Sequence, residues 1–470
     1  MVSPLKLVLL PALALALPVA AAPQREVPEP LPAPTRFESK VDDPMLAPLP
    51  AAEVKVDSWE DALAMLRERS TDLRLSEASV QQAEGRWRQA LGALLPNANF
   101  NAGMAMDVLH PGNPVIAGGG SIGSIAGGGG GLTPTTPLAS GSASVTMPLV
   151  DLSAWRNLSG ASANERASRA SLQDVHRRLT QGLAQVLVAT VAAERAAEIN
   201  RVGLRQALER YALARRSLEL GASTRLDAVR VAQDVAVARE ALVSGDEQVR
   251  RAREALGIAL GRDAAVGVGA GLQLDGLVRA TQERCAPLDA LSDRPDLRAA
   301  RERLKAAEES RGAASMGYLP RLGLQSSAFG LTTNPGPGRV LTWNIAAVLS
   351  VPLWEGGSRG GLVKERDALA KQAGETLEQA RRDVSVEVAR SRRAVEVAEA
   401  LLKTAVEARE LADDTDRLTR RAFEVGRGSS LELVQSGAAL RRAELTEAVR
   451  EFDLVQARLD AFLTEAQCNW

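Results

Sequence analysis

Two long segments of the chain carry a helical repeat of hydrophobic and polar positions. Residues 151–220 and 355–425 are rich in Ala, Leu, Glu and Arg. Apolar residues in the first segment recur every three or four positions, as at Leu172, Val175, Leu179, Leu183 and Val186. This spacing is typical of amphipathic helices, and each helix would extend about 100 Å. Shorter segments with a helical pattern lie at 58–94, 225–260, 294–318 and 430–464.

Four short segments alternate imperfectly between polar and apolar residues and are bounded by Gly and Pro, which predicts β-strands. They span residues 97–108, 140–149, 321–331 and 341–353. Each has about the 9 to 11 residues with which a tilted strand crosses a bilayer. Soluble hairpins explain the same pattern equally well, because single membrane strands have a weak signature.

Landmarks of the first half return in the second half at regular displacements. The pairs are Asp72 and Asp296, Pro96 and Pro320 (224 residues apart), Met147 and Val351 (204 apart), and Gly221 and Gly426 (205 apart). The 20 residues by which these displacements differ lie between the paired prolines, where the first half has the Gly- and Pro-rich stretch 110–137. The sequence therefore predicts a duplicated unit of helix, strand, strand, long helix and returning helix.

The N-terminus has the pattern of a secretory signal peptide. Lys6 precedes the apolar run 7–19, and the small residues Ala20, Ala21 and Ala22 follow. The run is too short for a membrane helix, so we expect residues 1–22 to be cleaved on export. A lipoprotein would carry Cys just after the cleavage site, but Gln24 and Arg25 stand there, which argues against lipid attachment. Residues 23–57 contain eight prolines and predict an extended or disordered leader.

Composition removes several classes of function. The chain has 57 basic and 58 acidic residues, so it offers no basic field for nucleic acid. Its two His, at 110 and 176, and its two Cys, at 285 and 468, lack the spacing of metal ligands. We therefore predict no metal, no cofactor and no enzyme activity.

A single copy of four strands would leave two edges with unpaired backbone groups, which lipid does not tolerate. Several copies contributing four strands each could close a barrel. The sequence thus predicts an oligomer.

Three motifs make the family resemblance specific. They are Arg294-Pro295-Asp296-Leu297-Arg298 at a helix start, Gly317-Tyr318-Leu319-Pro320-Arg321-Leu322 at a helix-to-strand junction, and Phe423-Glu424-Val425-Gly426 at a turn. With the signal peptide and the duplication, the chain resembles the TolC-like outer membrane efflux proteins over about residues 55–465.

The resemblance implies a mainly α fold with a small β part and a location in the bacterial outer membrane, extending into the periplasm. It implies a homotrimer in which a 12-strand barrel in lipid continues into a long periplasmic helical barrel. Such a channel would be a passive conduit that docks with a periplasmic adaptor and an inner-membrane pump. The expected divisions are the signal peptide 1–22, the leader 23–57, a first repeat 58–262, an equatorial linker 263–293 and a second repeat 294–466.

The turns beyond the long helices are the expected docking tips. The candidate residues are Gly221, Ser223, Thr224 and Arg225 in the first repeat and Gly426, Arg427, Ser429 and Ser430 in the second. Helix capping alone also explains the glycines, and the pairs Thr224/Asp227 and Ser429/Glu432 have the spacing of capping boxes. Both interpretations can hold together.

The resemblance further implies a constriction of the tunnel next to the second tip. The acidic pair of other members corresponds here to Glu432 and Gln435, and Asp227 matches Glu432 in the first repeat. One carboxylate repeated by threefold symmetry would still favour cations, although more weakly than two.

The two cysteines are expected near the middle of the tunnel, where export to an oxidising compartment would permit a Cys285–Cys468 disulfide. Two free thiols are the alternative. A periplasmic adaptor and a structural coiled-coil envelope protein remain as alternative functions. Neither accounts well for a strand pair in each half.

Overall fold

The computed structural model describes residues 41–109, 111, 133–269, 271–272, 274–334, 341–468 and 470. The predicted signal peptide, 1–22, and most of the Gly- and Pro-rich stretch, 110–137, lie outside the described residues. Within the described residues the chain is mainly helical with a small β part, as predicted. No helix described here is both long and apolar enough to cross a membrane.

The described part of the chain forms eight α-helices. They are α1 (Trp59–Arg69), α2 (Thr71–Gly92), α3 (Leu152–Glu219), α4 (Arg225–Ala259), α5 (Leu274–Arg284), α6 (Pro295–Met316), α7 (Ser358–Glu424) and α8 (Ser430–Thr464). The long helices α3 and α7 have 68 and 67 residues, and each therefore extends about 100 Å. Single 3-10 turns occur at Pro44–Leu46 and Leu291–Asp293.

The helix predicted over 58–94 is broken at Ser70. Ser70 has extended backbone angles (φ −60°, ψ 120°), and it ends α1 and begins α2. Its N–H donates to the Leu66 carbonyl at 2.8 Å, and its hydroxyl accepts from the Leu73 N–H at 3.3 Å. Ser is a good N-cap because its side chain satisfies a free N–H of the first turn. The single predicted helix is therefore wrong at this point.

The same described residues include ten strands. They are β1 (Val54–Val56), β2 (Asn97–Ala105), β3 (Thr133–Pro134), β4 (Leu138–Val150), β5 (Val266–Val268), β6 (Cys285–Pro287), β7 (Arg321–Leu331), β8 (Thr333–Asn334), β9 (Thr342–Ser350) and β10 (Ala466–Cys468). Strand β7 has the predicted bounds, whereas β2 ends three residues early, where its partner strand begins at Leu138. Strand β9 stops before Pro352, which has no N–H to donate.

The four longer strands form one antiparallel sheet in the order β2-β4-β7-β9. Its register defines two different faces, because residues paired across strands point to the same side. One row runs through Phe100, Ala143, Ala328 and Trp343, and the next through Asn101, Ser142, Phe329 and Thr342. The first face also carries Met104, Val145, Leu324 and Ile345, whereas the second carries Asn97, Asn99, Ser144, Ser327 and Asn344.

The apolar face of this sheet is exposed in the single chain. Phe100, Met104, Trp343 and Ile345 are 73%, 74%, 72% and 61% exposed. Strands β2 and β9 are the two outer strands, so each has one unpaired edge. The sheet is thus polar on one side, apolar on the other and open at both ends.

The helices pack side by side below the sheet. Helix α3 contacts α2, α4, α6 and α8, and α7 contacts α6 and α8. Many residues buried in α3 are small, including Gly160, Ala163, Ala167 and Ala170, which allows neighbouring helices to approach closely. Strand β4 leads directly into α3 and β9 leads towards α7, so the sheet and the turns after these helices lie at opposite ends.

The middle of the helical part contains the largest hydrophobic cluster. Its members include Val56, Trp59, Leu63, Leu66, Leu183, Leu187, Leu256, Leu260 and Leu459. Strand β1 pairs in parallel with β5, and β6 pairs in antiparallel with β10. Each repeat is therefore bracketed by a short strand pair at this level.

The described part of the leader, residues 41–57, is partly extended, as predicted, but it packs on the rest of the chain, which was not predicted. These residues include a 3-10 turn and strand β1, and Val56 is fully buried. Val54 and Val56, which follow the last proline of the leader, give this segment apolar side chains to bury. The equatorial linker, 263–293, likewise contains β5, α5 and β6.

Candidate functional site

The candidate docking tips are two turns with the same geometry. Gly221 and Gly426 have φ of 72° and 74°, a left-handed conformation that glycine adopts without a steric cost. The next N–H bonds back across the turn in both cases, from Ala222 to the Ser217 carbonyl and from Arg427 to the Ala422 carbonyl, each at 2.8 Å. These are the bonds of a Schellman C-cap.

The helices that follow begin with capping boxes, as predicted. The Thr224 hydroxyl accepts from the Asp227 N–H at 3.3 Å, and the Thr224 N–H donates to the Asp227 carboxylate at 3.0 Å. In the second tip the Ser429 hydroxyl accepts from the Glu432 N–H at 3.2 Å, and the Ser429 N–H donates to Glu432 at 3.1 Å. The capping bonds fix both turns locally.

Asp227 joins the two tips. Its Oδ1 accepts from the Ser430 hydroxyl at 2.5 Å, and its Oδ2 accepts from the Thr224 hydroxyl at 2.6 Å. These bonds, from Ser430 first and then Thr224, lower the pKa of Asp227 to about 2. Asp227 is thus a structural carboxylate that ties the first tip to the second, and it differs in this respect from its counterpart Glu432.

The predicted tip residues fall into two groups. Gly221, Thr224, Arg225, Gly426, Arg427 and Ser429 are exposed, as are the aperture candidates Glu432 and Gln435. Ser430 is buried, at 1% exposed. Ser223 is half-buried, and its hydroxyl donates to the Ala214 carbonyl at 3.4 Å. Ser430 therefore does not belong to an exposed docking surface in the single chain, because its hydroxyl is turned to Asp227.

A largely buried ion-pair network, which the sequence did not predict, lies above the tips, and we call it the cross-repeat network. Arg441 of α8 donates to Asp234 of α4 at 2.5 Å. Arg210 of α3 pairs with Asp416 of α7 at 3.4 Å, and Ser436 also donates to Asp416, at 3.0 Å. The four charged residues come from four different helices, two from each repeat.

Two glycines make room for the arginines of this network. A Cβ built on Gly437 would lie 1.7 Å from Arg210 Nη1, and one built on Gly203 would lie 2.5 Å from Arg441 Cδ. Burial lowers the pKa of Arg210, while the Asp416 carboxylate acts in the opposite direction. Single glycines inside Ala-rich helices were a detectable signal of close approach. The partners of the two arginines could not be identified from sequence, because Arg210 and Asp416 are 206 residues apart and Arg441 and Asp234 are 207 apart.

The two cysteines meet at the level of the large hydrophobic cluster. Cys285 and Cys468 form a disulfide between β6 and β10. Two residues further on, the Trp470 indole stacks on His176, with ring centroids 4.9 Å apart. Its Nε1 donates to the Thr180 hydroxyl at 2.7 Å. The segment after α8 is therefore joined to the linker through the disulfide and to α3 through Trp470.

The described residues hold no group of three or more His, Cys, Asp or Glu arranged to bind a metal. The arrangement instead consists of an exposed amphipathic sheet at one end, two rigid tips at the other and long helices between them. The protein is thus of a duplicated class in which long helices connect a small exposed sheet to two rigid turns.

Comparisons with known proteins identify the family. The sequence profile of the family described as "Outer membrane efflux protein" matches residues 62–262 and 286–460. The chain therefore belongs to the outer membrane efflux protein family, which confirms the predicted resemblance and the outer membrane location.

A curated relative is a probable efflux pump outer membrane protein, TtgC of Pseudomonas putida, 27% identical over 243 residues. The match covers 50% of this chain and 49% of the relative, so the chain spans about half the length of the curated relatives it matches.

Solved structures support the fold over most of the chain. CusC superposes with a TM-score of 0.72 at 16% identity, covering 91% of this chain and 98% of the other. The outer membrane protein VceC of Vibrio cholerae superposes with a TM-score of 0.71 at 14% identity, covering 86% and 95%. At these identities the likeness concerns the fold alone.

Proposed function

We propose that three copies of this chain form a passive conduit through the outer membrane and across the periplasm, as the outer component of a tripartite efflux or export system. The observation that carries the proposal is the exposed sheet with one apolar and one polar face. Three copies of four strands make a 12-strand barrel, with the apolar face towards lipid and the polar face towards water. No covalent chemistry is needed, because the partner supplies the energy.

The helical part supports the same assembly. Helix α7 packs on α6 and α8, and it keeps apolar residues exposed along its length, among them Leu369, Val386, Val397, Leu411 and Leu418. At the opposite side, Leu75 of α2 and Val237 and Val243 of α4 are also exposed. A head-to-tail contact between these two sides would cover both and close a helical barrel.

A matched pair of substitutions tests the orientation of the sheet. Ala143 lies on the apolar face and Ser144 on the polar face of β4, the second strand of the sheet. Arg in place of Ala143 would have to enter lipid, at a cost of about 2–4 kcal/mol, whereas Arg in place of Ser144 would face water. We expect Ala143→Arg to reduce heat-modifiable trimers in the outer membrane fraction, and Ser144→Arg to leave their amount unchanged. Equal loss in both variants would contradict the barrel.

The tips are the proposed contact with partners. Their rigid turns expose Arg225, Arg427 and backbone groups at the periplasmic end, where the hairpins of a periplasmic adaptor would meet them and link the channel to an inner-membrane pump. The shared turn geometry of the two repeats gives each trimer six similar tips, which suits a partner built from repeated hairpins.

Glu432 is the proposed selectivity residue. Its carboxylate is exposed next to the second tip, and Gln435 lies one helical turn further on. Threefold repetition of one carboxylate would focus a negative potential at the mouth. We expect Glu432→Gln to lower the ratio of K⁺ to Cl⁻ permeability in planar bilayers, with Gln435→Ala as the control. An unchanged ratio in Glu432→Gln would contradict this role.

A further inference from the structure

The described end of the leader lies on the first repeat as a strap, defined here as residues 43–50. Asp43 Oδ2 accepts from Arg239 of α4 at 2.7 Å, and Asp43 Oδ1 accepts from the Met45 N–H at 2.9 Å. Further along, the Pro50 carbonyl accepts from Arg253 of α4 at 2.9 Å. Polar contacts therefore hold the strap at both of its ends.

Between these contacts the strap covers an apolar seam. Met45 and Leu46 pack on a cluster formed by Leu204 and Ala207 of α3 and Val235, Ala238 and Leu242 of α4. Leu204 and Leu242 are 0% and 1% exposed. The strap thus contacts both α3 and α4, which together form the first hairpin. Leu242 lies 17 residues after Arg225, the first residue of α4, so the contact is about 25 Å above the tip.

The duplication offers a direct comparison for this seam. Helices α4 and α8 are displaced by 205 residues at both ends, so each residue of the seam has a counterpart in the second repeat. Leu204, Leu208, Arg239 and Leu242 correspond to Arg409, Asp413, Glu444 and Glu447. Three leucines and one arginine in the first repeat are thus matched by one arginine and three acids in the second.

The matching surface of the second repeat is charged and would not bind the apolar strap. Arg409 and Glu447 form an ion pair at 2.9 Å in place of the Leu204–Leu242 contact. Glu444, in place of Arg239, would repel the Asp43 carboxylate. Burial raises the pKa of Glu444, and Asp413 adds to the shift. Four positions of the seam have therefore changed their chemistry in the second repeat. Three others have not, because Ala207, Ala238 and Arg253 correspond to Ala412, Ala443 and Arg458.

We propose that the strap is a built-in fastening that holds α3 and α4 together above the tip, so that the first hairpin is the stiffer and the second the freer of the two. The Asp43–Arg239 ion pair determines where the strap binds on α4. Met45 and Leu46 stabilise it there by apolar packing on the seam. The fastening acts within one chain, so it does not depend on trimer formation or on the proposed conduit.

Hydrogen exchange of the purified full-length protein, followed by mass spectrometry, tests the fastening. In the wild type we expect slower exchange in 235–245 than in the matched segment 440–450. Leu46→Asp places a charge against the seam and should speed exchange in 235–245 about tenfold, without changing 440–450. Ala47→Asp adds the same charge at the exposed neighbouring position and should change neither segment.

A second, milder variant tests the proposal even if Leu46→Asp fails to fold. Asp43→Asn keeps the apolar contacts and should speed exchange in 235–245 about threefold. The proposal is overturned if exchange in 235–245 stays within about twofold of the Ala47→Asp value in both Leu46→Asp and Asp43→Asn. It is also overturned if both segments speed up equally.

Discussion

At the tips the two repeats have kept one turn, whereas on the shafts above them they have diverged. Gly221 and Gly426 differ by 2° in φ, and both following helices begin with a capping box. Higher up, Leu204 and Leu242 of the first repeat correspond to the Arg409–Glu447 ion pair of the second. In a tight turn the backbone conformation restricts which residues are tolerated. On the helices above the turn, a residue needs only a side chain that is compatible with its neighbours. The two repeats therefore differ at these positions because the strap covers the first seam and not the second.

Breaking the cross-repeat network should have the largest effect on stability. Asp234→Ala removes the buried carboxylate that pairs with Arg441, whose side chain is 12% exposed, and should cost about 3–5 kcal/mol of unfolding free energy. Asp414→Ala is the control, because Asp414 and Arg417 form an exposed pair that is worth less than about 1 kcal/mol. Denaturant unfolding compares the two variants. A similar small loss in both would show that the network does not join the repeats.

Removing the disulfide should cause the second largest loss of unfolding free energy. It closes a loop of 183 residues that contains the whole second repeat, and removing a disulfide typically costs about 2–4 kcal/mol. Cys285→Ser and Cys468→Ser should have the same effect, and the double variant no more than either. Peptide mapping without reduction should find the two cysteines linked. Free thiols at both positions would contradict the bridge.

The tip glycines should respond equally. Gly221→Ala and Gly426→Ala each force a side chain into a left-handed conformation, at a cost of about 1–2 kcal/mol. Gly374→Ala, inside α7 with its nearest neighbour 3.9 Å from the new Cβ, should instead stabilise by about 0.5–1 kcal/mol. Thermal unfolding measures all three. Unequal losses of stability in Gly221→Ala and Gly426→Ala would show that the two turns are not equivalent.

The Asp227–Ser430 contact should appear as a small pH effect. The pKa of Asp227 is about 2 in the folded chain against an ordinary 3.8, so its ionised form stabilises the fold. This contribution is fully present above pH 3.8 and is lost as the pH falls through about 2. The Tm difference between wild type and Asp227→Asn should therefore shrink over this window. In Ser430→Ala the window should move up towards the ordinary pKa, and an unmoved window would contradict the contact.

Much of the fold follows from periodicity and turn chemistry. The helix starts at Arg225 and Ser430 and the strand Arg321–Leu331 are where the sequence predicts them, because capping boxes, glycine turns and prolines act over a few residues. The break at Ser70 was missed, since a Ser in a continuing amphipathic pattern gives a weak signal.

Contacts between distant segments were beyond the sequence. The partners of Arg210 and Arg441 lie in the other repeat, and the strap reaches α4 across roughly 200 residues of chain. Local rules also misplaced Ser430, whose burial depends on Asp227 of the first tip. Its identity is visible in the sequence, but its neighbour is set by tertiary packing.

Single-particle imaging of the protein extracted in detergent tests the central claim most directly. The account predicts a threefold tube with a helical shaft of about 100 Å, capped at one end by a barrel of 12 strands and tapering at the other to six tips. A monomeric or compact particle, or a tube without threefold symmetry, would contradict it.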